Sequence, residues 1–263
     1  MTNIIVCMKQ VLDPEAPVSA FKIDPEAKRA IPPKGTPPVL NPNDENALEA
    51  ALKIKDSQPT EITVISMGRQ LARPVVKKSL AVGANELVLL EDDAFEDLDS
   101  YSTAYVLAAA IKKIGKCDLI LCGRQAADTD AGQVGSGIAE ILGIPSITIA
   151  RKVEISDGKV RVERVVSDGY EVIETSMPAL ITASNEIGDL RSPTMKAVME
   201  AQKKQFTVWN AQDLGVEPSQ VRRTNMLKLF IPVHEVKVEI VEGESPEEAA
   251  EKLALKLREN KLL

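Results

Sequence analysis

Short apolar runs, spaced along the first 150 residues, constrain the fold of this chain more than any other feature. Each run is nearly unbroken, which is typical of strands that are buried on both faces of a parallel sheet. Helical patterns fill the intervals, and this alternation predicts a doubly wound, mostly parallel α/β sheet with helices on both faces. The predicted strands are Asn3–Met8, Glu61–Ser66, Glu86–Leu90, Cys117–Cys122 and Ser146–Ala150.

Capping residues and apolar stripes set the predicted helix boundaries. The first helix is expected to have Asn43 or Asp44 as its N-cap, and the third to run from a cap at Asp99 or Ser100 to Ile114. The second and fourth helices are predicted over Leu71–Ala81 and Gly135–Leu142, ended by Gly83 and Gly143.

Beyond residue 150 the pattern changes to a period of two. Lys152–Val166 alternates around Asp157-Gly158, which predicts a β-hairpin, and Glu171–Glu174 indicates a further edge strand. Ala179–Thr182 is again unbroken and is predicted to return to the main sheet. We therefore expect one α/β domain over 1–190, with the hairpin addition at 151–175, followed by a partner-docking loop and helix at 191–212.

The remaining segment, 213–263, predicts a strand-like arm at Val233–Val241 and then an amphipathic helix. Ser245 and Glu248 have the spacing of a capping box at the start of that helix. An arm and helix appended to a complete sheet have little core of their own to join, so we expect them to clasp a partner chain. The alternative is that they fold back on their own domain.

Composition excludes several classes of protein. The net charge of −7 argues against a general nucleic-acid-binding surface. No apolar run approaches the roughly 20 residues that cross a bilayer. The N-terminus lacks the layout of a signal peptide, so we expect a cytoplasmic protein without membrane insertion. Cys7, Cys117 and Cys122 are expected to be reduced thiols, and a single His without a C-x-x-C motif argues against a metal site.

The segment Leu119–Gly137 (LILCGRQAADTDAGQVGSG) joins an apolar strand to a helix through a loop rich in Gly, Ala and Asp. In an open parallel sheet, such a loop presents backbone N–H groups and the positive end of a helix dipole, where nucleotide phosphates bind. The loop has neither the G-x-G-x-x-G pattern nor a P-loop ending. Arg124 would supply positive charge, and an Asp of the loop would cap the helix or accept ribose hydroxyls. The alternative is an ordinary connection with nothing bound.

Other loops are expected at the same edge, because parallel strands end on one side of a sheet. They are Cys7–Gln10, Met67–Arg69 and Asp99–Ser100, with Asn41–Asp44 within reach. Candidate phosphate donors are Ser100, Thr103, Arg124 and backbone N–H groups, and candidate ribose or base acceptors are Asn41, Asp44 and Asp128. No nucleophile–base pair is apparent, which argues against hydrolase chemistry. Lys9, Arg69 and Asp99 taken singly are equally consistent with solvated loop charges.

Several motifs together resemble the β subunit of electron-transferring flavoproteins, and the resemblance runs essentially end to end. They are Met8–Asp13, NPNDENALEAALKIKD from Asn41, GRQAADTDAGQVG from Gly123, Val162–Gly169, Met177–Thr182 and LRSPTMKAVMEAQKK from Leu190. Ser167 departs from the pattern, because the family usually has an acid there.

The resemblance implies a Rossmann-like, adenine-nucleotide-binding fold and a heterodimer with an α subunit that carries a flavin. It also implies docking to a flavin dehydrogenase of the acyl-CoA or a related type. In this family the β chain binds either structural AMP or a second FAD. That FAD takes hydride from NADH and splits the electron pair between two acceptors, of which ferredoxin or flavodoxin is the low-potential one.

Two segments, Asn41–Asp56 and Asp99–Ala104, resemble the bifurcating branch. We therefore expect FAD as the cofactor, AMP as the alternative and NADH as a substrate, with oxidoreductase activity only as part of a complex. A nucleotide-sensing module of similar fold is the rival interpretation.

The resemblance places the FAD pyrophosphate near Ser100, Thr103 and the 123–134 loop, and the adenosine near Cys7, Asn41 and Met67. Met195 stands where the family presents a hydrophobic anchor to its dehydrogenase, although inward packing on its own helix is the alternative. The expected cofactor-binding residues are Cys7, Lys9, Asn41, Asp44, Met67, Asp99, Ser100, Thr103, Gly123, Arg124, Gln125, Ala126, Ala127, Asp128, Thr129, Asp130, Gly132, Gln133 and Val134.

Overall fold

The structure, a computed structural model, describes residues 1–232 and 238–263, which form two compact units, Met1–Leu227 and Lys228–Leu263. The predicted arm at Val233–Val241 falls largely on residues 233–237, outside the described residues. Among residues 1–232 and 238–263, no helix has both the length and the apolar character needed to span a membrane.

The strands of the described residues are β1 (Thr2–Cys7), β2 (Gln10–Val11), β3 (Lys22–Asp24), β4 (Arg29–Ile31), β5 (Val39–Leu40), β6 (Thr60–Gly68), β7 (Glu86–Glu91), β8 (Leu119–Gly123), β9 (Ser146–Ser156), β10 (Lys159–Val166), β11 (Gly169–Ser176), β12 (Ala179–Ala183) and β13 (Thr207–Trp209). The helices are α1 (Pro42–Ser57), α2 (Arg73–Val76), α3 (Lys78–Val82), α4 (Ser100–Ile114), α5 (Val134–Leu142), α6 (Met195–Lys203), α7 (Ala211–Leu214), α8 (Pro218–Val221) and α9 (Pro246–Glu259).

In the described chain, one sheet of nine strands has the order β11-β10-β9-β12-β8-β1-β6-β7-β13. Neighbouring strands are parallel from β9 to β13, and β10 and β11 add an antiparallel hairpin at one edge. The five predicted strands and the return of Ala179–Thr182 between β8 and β9 are confirmed. The fold is therefore the doubly wound α/β fold that the sequence predicts.

Alternate residues of β1 belong to two separate apolar layers, which explains why the strand sequence is unbroken. Ile4 and Val6 pack in one layer with Leu48 of α1. Ile5 packs in the other layer with residues of α4 and α5, including Val106. Both sheet faces are thus covered by helices, as an all-apolar parallel strand requires.

The strand order reverses between β1 and β8. The chain goes from β1 through α1 to β6 on one side, and α4 later brings it back from β7 to β8 on the other side. Connections that diverge in this way leave a crevice at the carboxyl ends of the two strands, where open α/β sheets bind ligands.

Two predicted helix boundaries are wrong. The N-cap of α1 is Asn41 rather than Asn43 or Asp44, because Pro42 occupies the first helical position, where its missing N–H is not needed. The single helix predicted over Leu71–Ala81 is divided into α2 and α3 at Lys77, whose ammonium bonds the carbonyl oxygens of Gln202 and Lys204.

The fifth strand and the first hairpin arm, predicted as separate, form one strand, β9. Ile149 has a φ of 58° there, and the register against β12 shifts between Ile181 and Ala183. This bulge lets β9 pass from parallel pairing with β12 to antiparallel pairing with β10 without an intervening turn.

Candidate functional site

A cavity of about 1370 Å³ opens at the carboxyl edge of the sheet, at the crevice between β1 and β8. Its lining comes from the ends of β1, β6 and β8 and from the starts of α1, α4 and α5. Most of the residues expected to bind a cofactor line it: Cys7, Lys9, Asn41, Asp44, Met67, Asp99, Ser100, Thr103, Gly123, Arg124, Gln125, Ala126, Asp128, Thr129, Gly132, Gln133 and Val134. Ala127 and Asp130 belong to the same loop but not to the lining.

Asp44 joins the ends of β1 and β8 at the floor of the cavity. Its Oδ2 accepts the Lys9 N–H at 2.8 Å and its Oδ1 accepts the Gly123 N–H at 2.9 Å. Burial raises the pKa of Asp44 to about 6, although the two backbone N–H groups oppose this rise. The carboxylate thus fixes the two loops on either side of the crevice.

Asn41 fixes the following loop through both ends of its side-chain amide. Its Nδ2 donates to the Gln125 carbonyl oxygen at 2.9 Å, and its Oδ1 accepts the Ala127 N–H at 3.1 Å. Asn41 is almost fully buried, so this pairing defines the backbone of the 124–128 turn. Ala127 therefore shapes the site from behind its lining.

Gly123 is required because α1 passes directly over the end of β8. A Cβ at this position would lie 2.5 Å from the carbonyl carbon of Asn43 and 2.5 Å from Oδ1 of Asp44. Only glycine permits this approach, which brings the start of α1 against the strand that leads into the cavity loop.

The acidic residues of the loop are paired with polar partners of the same site. Asp128 forms an ion pair with the Lys9 ammonium at 2.7 Å, and Asp130 accepts from Nε2 of Gln125 at 2.7 Å. The expectation that one of them caps the next helix is wrong, since Gln133 is the N-cap of α5 and has no side-chain cap bond. The first N–H groups of α5 are thus left to face the cavity side of the loop.

Asp99 is the N-cap of α4, as predicted, and Ser100 and Thr103 of this helix line the cavity. Its Oδ1 accepts the Ser102 N–H at 2.8 Å, while Oδ2 accepts the N–H groups of Arg223 and Thr224. Burial alone would raise the pKa of Asp99, but these hydrogen bonds outweigh it and hold the pKa well below its usual range. The side chain therefore stays ionised at neutral pH.

Cys7 and Cys122 are neighbours on β1 and β8, and both line the cavity as free thiols. The hydrogen bond with Cys7 and burial raise the pKa of the Cys122 thiol well above its ordinary value. Free Cys side chains behave as small hydrophobes, so they give this part of the lining an apolar character. Cys117 is also free, as predicted.

The outer wall of the cavity contains residues that the sequence did not single out. They come from the β3–β4 hairpin, including Lys28 and Arg29, and from 222–227 near the end of the larger unit. The alternation of Phe21–Asp24 predicts one arm of a peripheral hairpin, and β3 confirms that arm. No motif, however, places either the hairpin or residues 222–227 at the site. Only long-range hydrogen bonds, such as Lys28 Nζ to the Met226 carbonyl oxygen at 2.8 Å, bring them there.

Met195 begins α6 and is 77% exposed, so its side chain does not pack inward. Met199, one helical turn later, is 63% exposed. The two side chains form an apolar stripe on the outer surface of α6.

A family model described as the electron transfer flavoprotein domain matches residues 34–214. The chain belongs to the electron transfer flavoprotein family. Subunit CarD of the caffeyl-CoA reductase-Etf complex of Acetobacterium woodii is 41% identical over 99% of this chain and 100% of its own length. The electron transfer flavoprotein β subunit of Thermoanaerobacterium thermosaccharolyticum is 44% identical over 83% of this chain and 82% of its own. The electron transfer flavoprotein β subunit of Megasphaera elsdenii is 39% identical over 88% of this chain and 87% of its own length. The family resemblance expected from the motifs is thereby confirmed.

Proposed function

We propose that this electron transfer flavoprotein subunit binds FAD along the carboxyl edge of its sheet and works in a heterodimer with an α subunit. The heterodimer carries electrons between NADH, the flavins and a partner dehydrogenase of the acyl-CoA or a related type. Electron bifurcation, with ferredoxin or flavodoxin as the low-potential acceptor, is the mode that we infer. The likeness to CarD, whose name places it in a reductase–Etf complex, supports this proposal.

The size and polarity of the cavity carry the proposal. Pockets for small molecules typically occupy about 300–1,000 Å³, and this cavity of about 1370 Å³ has room for a dinucleotide. It combines two helix starts, at α4 and α5, with the cation of Arg124. This donor set fits a pyrophosphate, because backbone N–H groups and the helix dipole favour anions.

The residues of this chain would each have a distinct task. Ser100, Thr103 and the backbone of the 124–134 loop would hold the phosphates, and Asn41 and Asp44 would keep the loops in position around the adenosine. Bound FAD supplies the chemistry that accepts a hydride and releases single electrons. Arg124 would stabilise negative charge on the reduced cofactor. The side chains of Cys7 and Cys122 would exclude water beside it.

The identity of the released ligand tests this proposal. The heterodimer is purified and denatured by heat, and its nucleotides are separated by chromatography and quantified per heterodimer. We expect two equivalents of FAD, one for each subunit, and visible absorbance that NADH bleaches. AMP with a single FAD would contradict the bifurcation proposal and favour the structural role of AMP. A colourless chain that binds ATP would instead favour the nucleotide sensor.

We further propose that Met195 docks on the partner dehydrogenase. A flexible, exposed thioether suits an adaptable contact, and Met199 continues the same apolar stripe. Met195→Ala should raise the KM of the flavoprotein for its dehydrogenase at least several-fold, while the NADH-dependent bleaching of its flavin stays unchanged.

Val18→Ala is the matched control, since Val18 is also 74% exposed but lies in a short turn before β3. Equal electron transfer by the Met195→Ala and Val18→Ala variants would contradict the docking role.

A further inference from the structure

Residues 222–227, which we call the strap, run along the outer wall of the cavity. Thr224, Asn225, Met226 and Leu227 all contribute to its lining. Arg222 donates from its guanidinium to the Asp97 carbonyl oxygen at 2.7 Å. Lys28 binds the Met226 carbonyl oxygen from the β3–β4 hairpin. The strap is thus fastened at both ends to polar groups of the cavity wall.

Asp99 makes the central attachment of the strap. Its Oδ2 accepts the Arg223 N–H at 2.5 Å and the Thr224 N–H at 2.7 Å. The other oxygen, Oδ1, is used separately as the cap of α4. One carboxylate therefore connects the helix that begins at the cavity to the segment that covers the cavity from outside.

Apolar packing contributes little to holding the strap in place. Leu227 is 88% exposed and Met226 is 52% exposed. The Arg223 guanidinium lies over the Tyr101 ring at 4.9 Å, a contact that is itself at the surface. A segment with few buried apolar contacts opens at low free-energy cost, so its closed position depends on hydrogen bonds. The two at Asp99 hold its centre, between the single bonds at its ends.

We propose that the strap retains the nucleotide in the cavity and that Asp99 is its latch, a positioning residue rather than a ligand contact. This inference rests on the proposed nucleotide-binding function. A ligand phosphate at Ser100 and Thr103 lies directly beside the latch, on the first turn of the same helix. The ligand leaves only when the two N–H groups of the strap separate from Oδ2.

Two substitutions separate the latch from the helix cap. In Asp99→Asn, the amide oxygen still caps α4, while the NH2 group in place of Oδ2 cannot accept from the strap. Asp99→Ser also caps the helix, but its single short hydroxyl does not serve both partners. Asp93→Asn is the control, because it makes the same charge change nearby and removes only an exposed ion pair with Arg69.

The experiment uses the full chain, copurified with its partner subunit, and has two readouts. The first is the rate of tryptic cleavage after Arg222 and Arg223. The second is the rate at which bound FAD is released on dilution, followed by the recovery of its fluorescence. We expect both Asp99 variants to be cleaved faster and to release FAD at least tenfold faster than the wild type, with unchanged helical circular dichroism. Asp93→Asn should match the wild type in both rates.

Wild-type cleavage and release rates in both Asp99 variants would overturn the proposal. Faster cleavage with unchanged FAD release would show that the latch exists but overturn its role in retention. A wild-type complex that holds no nucleotide on this chain would overturn retention together with the proposed function. If the wild-type complex does hold nucleotide on this chain, but both Asp99 variants release it at the wild-type rate, the strap proposal alone is overturned.

Discussion

Asp44 is an acid whose burial has a measurable consequence for stability. Its pKa in the folded chain is about 6, above the unperturbed value of about 3.9. Between these values the folded chain binds more protons at this site than the unfolded chain does. The contribution of Asp44 to the free energy of unfolding therefore decreases as the pH rises through this window, which is the opposite of an acid held in an ion pair.

Asp44→Asn should remove this pH dependence. We expect the free energy of unfolding of the wild type, minus that of the variant, to fall by up to about 1.4 kcal/mol per pH unit between about pH 4 and pH 6. Above pH 7 the difference should be constant. Urea unfolding of both proteins at pH 4.5, 5.5, 7 and 8 measures it. A difference that is independent of pH, or that rises with pH, would contradict the assignment.

The sequence predicted which residues lie at the cavity better than it predicted which groups their side chains hydrogen-bond. Asp44 and Asn41 were expected to accept hydrogen bonds from a ribose or base, but their side chains bind backbone N–H and carbonyl groups of the neighbouring loops. Three of these four contacts join residues about 80 positions apart in the chain, such as Asp44 and Gly123, and the fourth, between Lys9 and Asp44, spans 35. No local pattern indicates a hydrogen bond over such a separation.

Helix α6 is held at both ends by buried or half-buried polar contacts. Before it, Arg191 binds Glu49 and Asp56 of α1, with guanidinium–carboxylate distances of 2.9 and 2.8 Å. In its last turn, the Gln202 carbonyl oxygen accepts from the Lys77 ammonium at 2.7 Å, and the same ammonium lies over the ring of Phe206, just after the helix. The exposed methionine stripe is thereby presented on a helix whose position is fixed by the α/β domain.

Arg191→Ala should destabilise the chain, because it leaves the buried carboxylate of Glu49 without its cation. We expect a loss of about 1–2 kcal/mol, less than for a fully buried pair, since Arg191 itself is 36% exposed. Chemical unfolding at pH 7 measures this loss.

Lys196→Ala is the control for this prediction. It removes only an exposed pair with Glu200 in the same helix, so its effect should stay within about 0.5 kcal/mol. If both variants were equally stable, Arg191 would not anchor the segment.

At the scale of elements, the unbroken apolar strands were predictable because burial on both faces demands that pattern. The continuity of β9 was not predictable from the sequence, because it depends on Ile149 adopting a positive φ. β-Branched residues rarely do so, and nothing in the local sequence favours it. The division of α2 from α3 was not predictable either; it falls at Lys77, whose ammonium contacts a segment more than 120 residues away.

At the scale of the whole molecule, the order of strands and helices sufficed to predict the sheet, its carboxyl edge and the convergence of loops there. The outer wall of the cavity could not be predicted in the same way. The alternation of Phe21–Asp24 indicates a hairpin arm but not where it packs, and the strap has no motif at all, so only tertiary hydrogen bonds assign the two segments to the site.

The proposed nucleotide site is a single site formed by separate loops at one sheet edge, and Gly123 is where two of these loops meet. Gly123→Ala would force the start of α1 away from β8, because the new Cβ has no space beside Asn43 and Asp44. Gly143→Ala is the matched control. It costs about 1 kcal/mol of backbone strain at a helix end with a φ of 67°, in open space outside the cavity.

The decisive measurement is the amount of nucleotide bound per chain in these two variants, purified as folded complexes and compared by circular dichroism. We expect Gly123→Ala to hold less than a tenth of the wild-type nucleotide, while Gly143→Ala holds as much as the wild type. Wild-type nucleotide content in a folded Gly123→Ala complex would contradict the account.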